Sequence, residues 1–427
     1  MAHEPVEVVE VRIWGQTVGA VSVIRGGFGF QYTPSWKRTG IELSPLRMPL
    51  GSKTAVFRFP ALSPDTFYGL PPMIADALPD RFGNSVIDAW LASEGIDRRE
   101  ITPLDRLAYM GSRGMGALEF VPDRRPNTPA PTAVDLALLI EAARSVIVGS
   151  LSDDHDSAQA LAHIISVGTS AGGARAKAVV NINEVTKEIR PGHDLPVEGE
   201  RSWVLKFDGV GADHQLGQSQ KYTRIEYAYS LMARAAGIDM PDTRLIHENG
   251  RSHFLSERFD REPGRRVHMQ SLCGLDAVDF NRQRTNDYAQ LFTAAESLGL
   301  GEIERTQIFT RMAFNVAAAN HDDHSKNHSF LLRQGGRWEL APAYDITYAR
   351  DANNVWLKEH LMGVNGRFSD IGRGDLLAVA DRFAVPSAKV ALGNIANALA
   401  SWPEWATTAG LDTATIDAIA EDFTGLA

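Results

Sequence analysis

The sequence predicts an α+β protein in three parts: a small α+β unit, a strand-rich middle and a mostly helical C-terminal part. Three observations point there. Apolar and polar residues alternate near the start, strand-like runs flank an Asn-Gly turn in the middle, and helical spacing dominates after about Arg261. At 427 residues the chain has the length of two to three domains.

The elements follow in order. Val9, Val11 and Ile13 alternate with polar residues, Gly15 turns the chain, Val18 to Ile24 resumes the pattern, and Arg25-Gly26-Gly27 breaks it, which is a hairpin signature. After Pro60 to Pro79, helical spacing resumes in Asn84 to Ser93 and a strand is expected in Ala117 to Val121, so residues 6–122 form one subdomain. The glycine cluster Gly111 to Gly116 is read as a turn into that strand. Residues 123–160 are a linker opening on Pro122-Asp123-Arg124-Arg125-Pro126-Asn127-Thr128-Pro129 and continuing in an amphipathic helix, Ala133 to Gly149, and a charged loop, Asp153 to Asp156. Residues 161–260 hold a glycine-rich stretch, strands at Ala178 to Asn181 and Ser202 to Phe207, and a helix from Arg224 to Ala236. Thr223 and Glu226 fit a T-x-x-E capping box for that helix, Ile225, Ala228, Met232 and Ala235 share a face, and Gly237 ends it. Thr243 to His247 and Ser252 to Glu257 flank Asn249-Gly250, a hairpin turn. Residues 261–425 make the helical C-terminal lobe.

Charge and cysteine content narrow the function classes. Lys and Arg total 43 against 53 Asp and Glu, a net charge of −10, which disfavours a chain that holds nucleic acid along a basic face. DNA contact is therefore expected through a partner. A single cysteine, Cys273, allows neither an internal disulfide nor a thiolate metal cage. With an acidic N-terminus and no long apolar run, the expectation is a cytoplasmic protein away from the membrane.

The chemistry concentrates in Asn320-His321-Asp322-Asp323-His324-Ser325-Lys326-Asn327, delivered by a helix with apolar face Ile308, Met312 and Val316. Asp322 and Asn327 have the D-x-x-x-x-N spacing of a protein-kinase catalytic loop, in which the Asp accepts the substrate hydroxyl proton and the Asn holds magnesium. Lys326 would neutralise charge on the transferred group, and Asp345, eighteen residues past Asn327 after a strand and a glycine turn, would be the second metal carboxylate. A solvated loop explains the same run alone, while zinc on His321, His324 and His328 lacks an HExxH motif, a helical i,i+4 histidine pair and a cysteine ligand.

Upstream, Gly168 to Lys177 satisfies neither phosphate-binding glycine motif, yet its glycines let N–H groups converge on an anion and Lys177 adds charge. Lys206 lies in an apolar strand that calls for an anionic partner: phosphate, or Glu226 if that residue does not cap its helix. Glu257-Arg258-Phe259-Asp260-Arg261 stands where a kinase joins its lobes, with backbone groups to read adenine and Asp260 the ribose; a charged strand end is the plain alternative. These features run in the order a kinase requires.

The chain resembles the HipA family of bacterial toxin serine/threonine kinases. The likeness rests on Ser170 to Lys177, Lys206, Glu257 to Arg261, Asn320 to Asn327 and Ala343-Tyr344-Asp345-Ile346, and on Tyr32-Thr33-Pro34-Ser35-Trp36, Leu43-Ser44-Pro45 and Ala77-Leu78-Pro79-Asp80 in the first subdomain. It implies a two-lobed kinase fold whose N-terminal subdomain docks a HipB-like helix-turn-helix antitoxin, the partner that carries DNA binding. It also implies ATP and Mg2+ as cofactors, and a protein substrate such as a translation factor or aminoacyl-tRNA synthetase. By the same resemblance Asp322 is the base and Asn327 and Asp345 bind magnesium. Gly172, Gly173, Ala174, Arg175, Ala176, Lys177, Lys206, Glu257, Arg258, Phe259, His324 and Tyr344 line the ATP site, and Ser170 is the autophosphorylation site. Asp323, next to the base, could compete for the metal. The rival classes are a kinase-fold corepressor with vestigial catalysis and a small-molecule or lipid kinase.

Overall fold

A computed structural model describes residues 3–124, 139, 176–208, 221–248 and 250–425. Ser170, Gly172, Gly173, Ala174 and Arg175 lie outside the described residues, as do the Asp153 to Asp156 loop and all of the Ala133 to Gly149 helix but Leu139. The chain divides into two compact units: Met1–Gln220 with Ile246–Met269 and Leu332–Gly336, and Lys221–Leu245 with Gln270–Leu331 and Arg337–Ala427. The N-terminal residues and the strand-rich middle thus share one unit.

The first unit opens with β1 (Val8–Ile13), β2 (Gln16–Ile24) and β3 (Gly27–Tyr32), and a later strand, β4 (Leu118–Val121), completes an antiparallel sheet of order β3-β2-β1-β4. The alternation puts Val9, Val11 and Ile13 wholly in the core, and positive φ at both Trp14 and Gly15 makes the tight turn whose twist suits a hairpin. The Thr-Pro-Ser-Trp motif then starts a helix, Pro34–Thr39: the Thr33 hydroxyl accepts the Trp36 N–H at 3.1 Å, and Pro34 occupies a first-turn position where no amide hydrogen is required.

A five-stranded sheet of order β6-β5-β7-β9-β8 is built from β5 (Lys177–Asn183), β6 (Ile189–Pro191), β7 (Glu200–Lys206), β8 (Thr243–Glu248) and β9 (Arg251–Glu257), and all of it but residues 243–245 lies in the first unit. β8 and β9 flank Gly250 at φ 77°, as the Asn-Gly signal requires, with Asn249 outside the described residues. Antiparallel register sets Lys177 opposite Lys206.

The helical second unit packs Tyr222–Ala235, Glu302–Ala317, Ala388–Ala400 and Trp402–Thr408 around buried aromatics. Tyr229 meets Trp402 edge-on at 5.3 Å between ring centroids, and its hydroxyl donates to the Ala318 carbonyl at 2.7 Å. The expected capping box does not form. The helix starts at Tyr222 with Lys221 at its N-cap, so Thr223 and Glu226 sit inside it and are buried. A tertiary contact secures that end instead, with Lys221 Nζ 2.9 Å from Asp412 and 2.7 Å from the Thr415 hydroxyl. Among the described residues no helix is long and apolar enough to cross a membrane.

Candidate functional site

In the first unit the strand lysines differ sharply. Lys177 is buried, and its ammonium lies 3.1 Å from Asp80 Oδ2, while Asp80 Oδ1 caps the following helix by accepting the Gly83 N–H at 2.6 Å. A buried ammonium requires such a partner, so the charge that the sequence reading gave to the glycine loop is taken up by the Ala-Leu-Pro-Asp motif of the first subdomain. Ala176, fully buried, accepts the Phe207 N–H through its carbonyl at 3.1 Å. Lys206 is half-buried at the end of β7, its Nζ 5.9 Å from the Phe254 ring centroid.

The Glu257 to Arg261 segment also departs from its expected use. Glu257 forms a bidentate pair with Arg201, one arm at 2.7 Å. Asp260 is fully buried. It accepts both arms of Arg258, at 2.9 and 2.8 Å, Nη1 of Arg261 at 2.8 Å, and the Gly116 N–H at 2.7 Å. Arg261 in turn donates to the Gly114 and Gly116 carbonyls, each at 2.8 Å. Burial alone would raise the Asp260 carboxyl; the two guanidiniums outweigh it and hold the group well below the usual carboxylate range. This carboxylate clasps the Gly111 to Gly116 turn and is not presented to a ribose, which corrects the role expected of Asp260. Arg258 is buried with it. Phe259 is half-buried.

In the second unit Glu302–Ala317 delivers the polar loop, as its apolar face predicts. Asp322 is the exposed member, its side chain 46% accessible, with His324 Nε2 3.7 Å from its carboxylate. The Asn327 side-chain amide donates to the Asp322 carbonyl at 2.8 Å, and the Asn327 N–H bonds the His324 carbonyl at 2.8 Å, tightening Ser325–Asn327 into a single 3-10 turn. Phe280 supports both flanking groups: the His324 ring lies 5.5 Å from it and Lys326 Nζ 5.2 Å over its face. Tyr344 donates to the Lys326 carbonyl at 2.6 Å and hydrogen-bonds Ser329. Asp345 has left-handed backbone, φ 54°, a region that Asp and Asn visit more readily than other L-residues.

Asp323 is not the competitor for metal that its position suggested. It is buried, and its Oδ1 accepts the Leu361 and Met362 N–H groups at 2.8 and 3.2 Å while Oδ2 accepts from the Tyr288 hydroxyl and His360 Nδ1, both at 3.0 Å. Burial pushes its carboxyl up, but His360 and these hydrogen bonds hold it below the ordinary value. Asn315 donates to the Tyr288 oxygen and accepts from Asn320, each at 2.9 Å. His321 and His328 are each pushed down to about 4, chiefly by burial. Tyr288, His360 and Asn315 escaped the sequence reading; Asn315, a polar residue within the apolar run Phe314 to Ala317, was the available signal.

Comparison with known proteins matches residues 9–121 to the family model of the HipA N-terminal domain and residues 169–423 to that of the HipA-like C-terminal domain. Among solved structures, the Shewanella oneidensis MR-1 toxin–antitoxin complex of HipA, HipB and operator DNA aligns at TM-score 0.64 and 18% identity, over 97% of this chain and 94% of the other. This likeness bears on the fold. The Helicobacter pylori proinflammatory kinase CtkA aligns at TM-score 0.33 and 12% identity, over 52% of this chain and 88% of that one, too low to add to it. Family models for both parts together span most of the sequence: the chain belongs to the HipA family.

Proposed function

We propose that the chain transfers the γ-phosphoryl group of ATP to a serine or threonine hydroxyl of a protein, and that it is the toxin of a HipA/HipB-like toxin–antitoxin pair. The observation that carries the reading is the loop of the second unit, where the exposed Asp322 is tied through its own carbonyl to Asn327 at 2.8 Å. Asp322 would accept the hydroxyl proton as the nucleophile attacks. Asn327 spends its amide nitrogen on the loop, which leaves the amide oxygen as its ligand atom. With the Asp345 carboxylate it would make a hard-oxygen donor set suited to magnesium. Bound magnesium would supply charge neutralisation of the nucleotide phosphates. Lys326, on the same turn as Asn327, and Lys206 would add positive charge toward those phosphates, with His324 and Tyr344 at the nucleotide. The backbone of Glu257 and Phe259 would meet adenine.

The partner reading draws on the Shewanella HipA, which was solved with HipB and operator DNA. A HipB-like antitoxin would carry DNA binding for this chain too, in keeping with its net charge of −10. Ser170 is the proposed autophosphorylation site, where a phosphate would bring about −1.5 to −2 charges to a segment meant to attract anions. Incubation with labelled ATP, magnesium and a host lysate tests the activity. Labelled protein bands are expected with wild type, and their absence, self-labelling included, while nucleotide still binds would overturn it.

A further inference from the structure

We infer that Asp323, braced by Tyr288 and His360, is the positioning residue that sets the Asp322 to Asn327 loop in its working geometry. Its side chain ties that loop to a distant stretch of the same unit, since Oδ1 holds consecutive backbone amides of Leu361 and Met362 at 2.8 and 3.2 Å. The tie is reinforced on both sides. The Leu361 N–H also reaches the His321 carbonyl at 3.2 Å, the His321 ring nitrogen lies 2.7 Å from the Leu357 carbonyl, and the His321 and His360 rings are 4.4 Å apart. On the far side the Asn320-Asn315-Tyr288 chain ends on Asp323 Oδ2. Every polar atom of the Asp323 side chain is thus satisfied, so neither oxygen is offered to substrate or ion, while the adjacent residue is the exposed Asp322. A carboxylate buried this completely, one residue from the proposed base, transmits the position of the 357–362 segment to that base. Misplacing a reacting group by about 1 Å costs roughly 10²-fold in rate, which is the effect a positioning residue commands.

The activity arm of the test rests on the kinase reading above. Asp323→Asn keeps the shape but replaces an acceptor oxygen by a donor that faces other donors. It is expected to lower kcat by about 10²-fold with the KM for ATP changed by less than about 3-fold. His360→Ala should lose about 10-fold in kcat, and His360→Asn, whose side-chain amide can donate from nearly the place of Nδ1, should restore most of it. If Asp323→Asn does not fold, Tyr288→Phe, which keeps the ring and deletes the donor to Asp323 along with the acceptor for Asn315, is to be read in its place. An unchanged kcat, a loss confined to KM, or equal effects of His360→Ala and His360→Asn would overturn the inference. An arm independent of catalysis is amide hydrogen exchange. In Asp323→Asn or Tyr288→Phe, peptides covering 320–328 and 357–363 should lose protection together while 302–314 keeps it. Unchanged protection at 320–328 would sink the positioning role, whereas no phosphate transfer by the wild type together with this coupled loss in the variants would refute only the kinase reading.

Discussion

Asp322 and Asp345 would act at different moments of the proposed reaction, and the difference is measurable. A base contributes mainly in the transition state, whereas a metal ligand also holds the ground-state complex. Asp322→Ala should therefore cut turnover by about 10²–10⁴-fold and leave Mg-ATP affinity nearly unchanged. For the second position Asp345→Asn is the right probe, because asparagine tolerates the left-handed backbone at φ 54° while the charge is removed. It should weaken Mg-ATP binding as well as turnover. Calorimetric titration of both variants decides, and an equal loss of nucleotide binding would show the roles wrongly divided. Asp260 makes the opposite case. Asp260→Asn strands the guanidiniums of Arg258 and Arg261 in the interior, and breaking a buried pair in this way costs about 3–5 kcal/mol. A large drop in urea midpoint is expected; unchanged stability with weaker ATP binding would restore the ribose role. Spacing alone could single out Asp322, Asn327 and Asp345 as candidates because the motif is local. Asp260 was misread because its partner turn lies at Gly114 to Gly116, over 140 residues away in sequence.

Elements defined by their own residues were the readable ones. The period-two alternation of β1 and β2, the Gly15 and Gly250 turns and the apolar face ahead of the polar loop all depend on neighbours within a few positions, and each stands where expected. The Tyr222–Ala235 helix has its interior as predicted, but at its start Lys221 meets Asp412 and Thr415, partners no local pattern contains. The Gly111 to Gly116 stretch was correctly read as a turn into β4, and its second task was invisible: Gly116 sits at φ 75° and a Cβ there would fall 2.9 Å from the Met269 nitrogen. Gly116→Ala should therefore destabilise by about 2–4 kcal/mol, combining left-handed strain with the forced shift of a neighbouring backbone. Gly15→Ala is the control. It shares the positive φ but has nothing within 4 Å, so it should cost only about 1 kcal/mol. Equal urea midpoints for the two variants would mean that close approach at Gly116 contributes nothing.

Across the whole molecule, net charge and cysteine count shaped expectations about partners and compartment, but they say nothing about which titratable groups the fold withdraws from water. Burial does that, and its consequence is a pH dependence. His268 is completely buried and pushed down to about 3 by that burial, against about 6.5 in an unfolded chain. The native state therefore refuses a proton that the unfolded state accepts. Stability from this group is fully present above about pH 6.5 and falls as pH drops toward the native value, with a slope approaching 1.4 kcal/mol per pH unit. The Asp260 carboxylate, held low by its arginines, works in a separate window. Its contribution persists down to the pH at which unfolded aspartates protonate, near 4, and is lost only below that. Between pH 6.5 and 5 the buried histidines should thus dominate, His268 together with His321 and His328, each lowering unfolding free energy by about 2 kcal/mol. Urea midpoints followed by circular dichroism at pH 7.5, 6.5 and 5.0 should be flat across the first interval and fall across the second, and His268→Gln should fall less. A midpoint as high at pH 5.0 as at 7.5, or a His268→Gln variant with the full wild-type slope, would show that His268 is not among the groups the fold keeps neutral.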